Sequence, residues 1–166
     1  QLEPLSWDAI VKTWKSLSFD TEEMDERFLE VVAVARRYLE LKIAKEQKKV
    51  ADRKEAEVFY EQAEDKEILV SETPLSRMWF IEYPEPQVLV CPRDETSDSD
   101  WMAIAIPVAN TGFETRVRFP DGWGGLRDGE LAEMSGLADA KFCHKDRYMC
   151  ITRSRESALR AAELAA

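Results

Sequence analysis

Histidine is almost missing from this chain: His144 is the only one in 166 residues. That excludes metal motifs built on two imidazoles, and with them most hydrolytic zinc sites. Cysteine is scarce as well. Cys91, Cys143 and Cys150 are odd in number and make a sparse framework, which reads as reduced thiols rather than disulfides. No apolar run approaches the roughly 20 residues of a membrane helix, and no basic-plus-apolar signal segment opens the sequence. The expectation is an intracellular, cytoplasmic protein without a membrane partner. An excess of positive charge is also lacking: 23 Lys and Arg stand against 33 Asp and Glu, for a net charge of −10. A surface of that sign does not hold nucleic acid generally, because sequence-blind binding depends on cations at phosphates. It leaves room for one local basic site.

Glycine and proline are absent from 5–73, and all six glycines and six of the seven prolines lie from Pro74 onward. The first stretch is therefore expected to be helical. Asp20 or Thr21 can cap a helix, with Glu22 and Glu23 in its first turn. Met24, Phe28, Val31, Val32, Ala35, Tyr38, Leu39 and Ile43 follow at spacings of three and four and make one apolar stripe. From Lys45 to Glu57 the pattern turns polar. A single helix over 21–64 would be about 65 Å long at about 1.5 Å per residue, so a break near 45–52 is expected. Leu5 to Leu17 reads as a further short helix or as a loop anchored by Trp7 and Trp14.

The remainder alternates short β-branched or aromatic runs with turn residues. Strands are expected at 67–71, 78–83, 87–91, 101–107 and 113–119. A short helix fits Asp128 to Met134, and a hairpin turns around Lys145 and Asp146. Ser154 caps a last helix from Arg155 to Ala165. The fold class is α+β: an amino-terminal helical segment, then a mainly antiparallel sheet with two short helices. The division is 1–66, a linker or association region, and 67–166, an α+β domain.

Candidate chemistry is sparse. Cys143, His144 and Cys150 could meet across the hairpin, but Cys-His adjacency is not a zinc spacing, and strand packing is the expected role. Asp94 to Asp100 holds four acids without the glycine and terminal glutamate of an EF-hand loop, and reads as a solvated hairpin loop. Nothing in the local spacing supports a nucleophile with its base. One feature stands out against the acidic chain. Residues 141–155 carry Lys141, Lys145, Arg147, Arg153 and Arg155 against the single acid Asp146, a local charge of +4. Thr152 and Ser154 stand at the start of the last helix, where free N–H groups and the helix dipole favour a phosphate. Trp123, flanked by glycines, could stack on a base, and Arg127 could meet a phosphate or pair with Asp128. The bland reading is a surface hairpin whose arginines pair with carboxylates and a Trp123 that fills the core.

The stretch "FPDGWGGLRDGELAEMSGL", with the following "AKFCHKDRYMCITRSRESALRAAELA", resembles the carboxyl-terminal end of the melanocyte-proliferating-gene (Myg) family, metal-dependent hydrolases related to the DHH phosphoesterases. The resemblance rests on Pro120, Trp123, Gly125 to Asp128, Ser135 and Gly136, then on Phe142, His144, Ser154 to Glu156, Ala158 and Leu159. It extends more weakly upstream, through "LEPLSWD", the Asp-Thr-led helix "SFDTEEMDERFLEVV" and the Trp-led strand "WMAIAIP". Many members carry a Gly-Gly-His or Gly-Gly-Asn before the last helix. Here Met149 to Thr152 occupy that place, so Thr152 supplies a side-chain donor without a glycine loop.

The resemblance implies a parent enzyme that uses Mn or Mg to hydrolyse phosphodiesters, a 3′–5′ exoribonuclease, with its His- and Asp-rich metal half amino-terminal to everything here. The chain opens without a methionine and is expected to be a fragment. It would then bind no cofactor and hold no catalytic residue of its own. Trp123, Arg127, His144, Thr152, Arg153, Ser154 and Arg155 would bind substrate. Its partners would be the catalytic half, RNA or nucleotide held weakly in isolation, and a second copy through the long helix. The competing reading is a non-catalytic interaction or dimerisation module.

Overall fold

The computed structural model describes residues 6, 8, 9, 11 and 12, and then 21–166 apart from 97 and 111–113. The expectations for Leu5 to Leu17, for a cap at Asp20 and for Phe113 fall wholly or mostly outside those residues. The chain forms two compact units, Gln1–Ala51 and Asp52–Ala166. Helix α1, Thr21–Gln62, runs unbroken. The break expected near 45–52 is not there. The polar stretch has no helix breaker, consists almost wholly of strong helix formers, and carries its own ion pairs, Lys49 to Glu46 at 2.8 Å and Arg53 to Glu57 at 3.3 Å.

The second unit is a five-stranded sheet with two short helices and the last turns of α1. The strands are β1 (Ile68–Val70), β2 (Val88–Pro92), β3 (Trp101–Ala105), β4 (Ala140–Cys143) and β5 (Met149–Thr152), in spatial order β1-β2-β3-β5-β4. β1 and β2 run parallel, with Ile68 opposite Val88, and the other pairs are antiparallel. Helix α2 spans Asp128–Ser135 and α3 spans Arg155–Glu163, capped by Ser154 as the sequence suggests.

Two expected strands are not formed, for reasons a linear pattern does not carry. A parallel pair needs a connection that leaves the sheet and returns to its starting end. The segment 78–83 lies in that connection, so Arg77–Phe80 winds into a 3₁₀ turn capped by the Ser76 side chain. The segment 113–119 makes one isolated bridge, Thr115 to Pro107. Its Arg116 side chain turns inward instead, donating to the carbonyls of Pro86 and Ile81 at 2.7 Å each.

The sheet separates two apolar clusters. Val88, Val90, Ala103, Cys143 and Cys150 face α2, α3, Phe119 and Trp123. Leu69, Leu89 and Cys91 face Phe80, Ile106 and Ala56, with Phe59 and Tyr60 of the last turns of α1 packed alongside. Tyr60 stacks on Tyr83 with centroids 3.9 Å apart and donates its hydroxyl to Glu85 at 2.8 Å.

Arg116→Ala should cost about 2–4 kcal/mol, because two charge-assisted bonds are lost and two carbonyls lose their partner. Arg116→Lys should recover only part of it, since a single ammonium does not reproduce the planar fork. Urea unfolding of the three proteins measures both.

Candidate functional site

The glycine-tryptophan stretch is a clamp on the β4–β5 hairpin. Trp123 is 4% exposed and stacks on Phe119 within the core. Gly125, at φ +85°, donates its N–H to the Cys143 carbonyl at 3.1 Å, and Cys143 N–H returns to the Leu126 carbonyl at 3.1 Å. A Cβ on Gly124 would stand 2.8 Å from the Lys145 carbonyl oxygen, so only glycine lets the two backbones meet. Arg147 closes the clamp from the hairpin side, donating to the Phe119 carbonyl at 3.0 Å and pairing with Asp121. Trp123 is therefore core, and its ring faces are not open to a base.

The clamp fixes the turn 144–148, in which Arg147 adopts φ +56°. His144 N–H bonds the Met149 carbonyl at 2.9 Å, and the imidazole Nδ1 accepts from Asp146 N–H at 3.2 Å. Three rings then follow one another, with a guanidinium group at each end. Arg127 lies 4.5 Å over Phe142, whose ring meets His144 edge-on at 6.2 Å. His144 is 4.3 Å from Tyr148, and Arg77 lies 4.8 Å over the other end of the row at Tyr148. Arg77 also donates to the Ala105 carbonyl at 2.7 Å, and burial lowers its pKa. Phe142, His144 and Tyr148 are all half-buried. Phe142 pairs with Ile151 while Cys143 pairs with Cys150, so Phe142 lies on the sheet face opposite Trp123.

The junction of β5 with α3 is built differently. Thr152 is fully buried and its hydroxyl donates to the Ser154 carbonyl at 2.8 Å. Ser154 N–H donates to Asp139 Oδ2 at 2.7 Å, and its hydroxyl accepts from Ser157 N–H at 3.2 Å. Arg155 pairs with Glu72 at 3.0 Å, with its guanidinium 6.0 Å from the Trp101 ring. Arg153 is exposed and lines a groove of about 220 Å³ with Lys141, Asp128, Gly129 and Asp139. The seven expected residues thus separate. Arg127 and His144 share the cation-aromatic row, Arg153 faces the groove, Thr152 and Ser154 hold the helix start, Arg155 is ion-paired, and Trp123 is internal.

Arg77 and Tyr148 escaped the sequence reading. Tyr148, four residues past His144 across a turn, carries a signal of hairpin spacing. Arg77 comes from a distant segment and carries none. The thiols offer no nucleophile. All three cysteines are free and buried, and burial pushes Cys143 to about 11 and Cys150 to about 12.

A model of the MYG1_exonuc family (Uncharacterised protein family, UPF0160) matches residues 6–166. The chain belongs to the MYG1_exonuc family. The MYG1 protein of Chlamydia pneumoniae is 38% identical over 80 residues, covering 48% of this chain and 27% of that protein. The Caenorhabditis elegans MYG1 protein C27H6.8 is 33% identical over 72 residues, 43% of this chain and 21% of its own length. The human MYG1 exonuclease is 34% identical over 62 residues, 37% of this chain and 16% of its own. The match thus spans well under a third of each curated relative. No solved structure matches.

In this MYG1_exonuc chain the loop before α3 lacks glycines, and Asp139 does the tying instead. Burial opposes its charge, but the neighbouring Ser157 and Ser154 side chains and the Ser154 N–H outweigh that and hold the carboxyl below its ordinary pKa. A carboxyl depressed in the folded state stabilises above its unfolded pKa, and loses that contribution as pH falls through the folded one. Asp139→Asn should therefore cost about 1 kcal/mol at neutral pH. The gap from wild type should close as the medium is acidified past the carboxylate range. Unfolding midpoints of both proteins against pH check the sign.

Proposed function

We propose that this chain is the substrate-binding carboxyl-terminal region of a Myg-like, metal-dependent phosphoesterase, a 3′–5′ exoribonuclease in its full-length form. The observation that carries the reading is the row Arg127, Phe142, His144, Tyr148, Arg77 on a half-exposed sheet face. Single-stranded nucleic acid is held by base stacking on aromatic rings together with cations at the backbone. Arginine suits both, since it stacks and forks to phosphate at once. Arg153 in its groove would take a neighbouring phosphate, with Thr152, Ser154 and Asp139 fixing its backbone. Arg155, already paired with Glu72, contributes little, and Trp123 acts only by holding the hairpin. Membership of the family, and the word exonuclease in the name of the human relative, support nuclease chemistry for the parent.

A divalent metal would activate water for attack on the phosphodiester in such a parent. The residues described here do not fit that role: among them no three His, Cys, Asp or Glu side chains gather as a metal would require. In the proposed arrangement the metal step lies with a catalytic half, the chain's first partner, and this region grips the strand. Among the described residues no helix is long and apolar enough to cross a membrane, and a cytoplasmic parent is part of the proposal.

Short single-stranded RNA titrated into the chain should bind weakly, and more weakly as salt rises. Arg127→Ala should lose about 1–3 kcal/mol of binding, and Arg155→Ala at most about 1 kcal/mol, since exposed pairs are worth no more. Coincident curves for wild type and Arg127→Ala would remove the row from the substrate path. The isolated chain should also show no turnover of RNA or a generic phosphodiester with Mn²⁺ or Mg²⁺. Metal-dependent hydrolysis that follows the protein through repurification would place catalysis in this chain and contradict the reading.

A further inference from the structure

Large apolar side chains stand in water along the first part of α1. Phe28 is 62% exposed, Leu39 57%, Ile43 58% and Val50 71%, with Met24 and Val32 also open. Their spacing is regular: Met24, Phe28 and Val32 recur eleven residues later as Ala35, Leu39 and Ile43, and Leu39 recurs as Val50. An eleven-residue period keeps such a row on one side of a nearly straight helix, as a seam for another helix. Charge along the helix is polarised too. Residues 21–30 carry five acids against Arg27, a net −4, while 36–51 carry six Lys and Arg against Glu40 and Glu46, a net +4.

We propose that this part of α1 pairs with the same helix of a second copy, antiparallel, about an axis between Ala33 and Val34. That register sets Met24 against Ile43, Phe28 against Leu39 and Val32 against Ala35, so every paired core position from Met24 to Ile43 is apolar. It lays the acidic end of each copy over the basic stretch of the other, with Asp25 level with Lys42 and Glu30 with Arg37. A parallel pair would stack acid on acid and base on base, which is repulsive. Burying the seam gives the helix the tertiary support that a long helix with an open apolar face otherwise lacks.

Sedimentation equilibrium of the 166-residue chain should give about twice the monomer mass of 19.1 kDa, with association weakening as salt rises. Leu39→Asp should raise the dissociation constant by roughly tenfold or more, through a charge buried in the seam. It should leave the monomer folded, because Leu39 faces solvent there. Reversing Asp25 and Glu30 to lysine should weaken the dimer, and adding Lys42→Glu and Arg37→Glu should restore it. Spin labels on Ala33→Cys should lie close together across the dimer, and those on Gln47→Cys about 40 Å apart at about 1.5 Å per residue. The native thiols are buried and leave the labels selective. A monomer at all concentrations would overturn the proposal and leave the seam to a different polypeptide. A dimer indifferent to Leu39→Asp, or short distances at both label sites, would overturn it equally.

Discussion

The close approach of Gly124 to the Lys145 carbonyl governs the second unit's surface. Two backbones meet there without a side chain between them, and Trp123 anchors one while Arg147 ties the other. Because the hairpin turn is held at that point, His144 and Tyr148 pack across it with tilted rings, and because Leu126 bonds β4, Arg127 reaches Phe142. The motif that looks most like an active-site loop is thus the brace that sets the site on the other side of the sheet.

This division of labour reconciles an acidic chain with the nucleic-acid role proposed for it. Repulsion from the bulk surface discourages phosphates everywhere except where cations are fixed against rings. At the α3 start the polar groups are consumed by the fold: Thr152 and Ser154 bond the chain itself, and Asp139 sits where an anion would have to sit. A carboxylate there repels phosphate, so on the proposed reading the weight of substrate contact falls on Arg127 and Arg77, which stand apart from that helix start, with Arg153 beside it.

Much of the fold was legible because its signals are local. The Ser154 cap, the Lys145–Asp146 turn and the strands at 68, 88 and 101 follow from residues a few positions apart. The exceptions are non-local. Nothing within 78–83 tells that β1 and β2 are parallel neighbours, and that relation is what excludes a strand there. Arg116 looks like one more alternating residue until Pro86 and Ile81 present their carbonyls. The site divides the same way. Arg127 and His144 were visible through the family motif, whereas Arg77 joins them only through tertiary structure. Trp123 misled in the opposite sense, since flanking glycines suit a mobile loop and a tight brace alike.

On the proposed reading, the ringed face of the sheet, rather than the glycine-tryptophan loop or the α3 start, meets single-stranded RNA. Amide and imidazole NMR signals followed during titration with a short oligonucleotide report which surface is used. Saturable shifts at Phe142, His144, Tyr148 and Arg77, with Trp123 and Ser157 unmoved, are the predicted result. Shifts confined to Trp123 or to the first turn of α3, with His144 silent, would contradict the account.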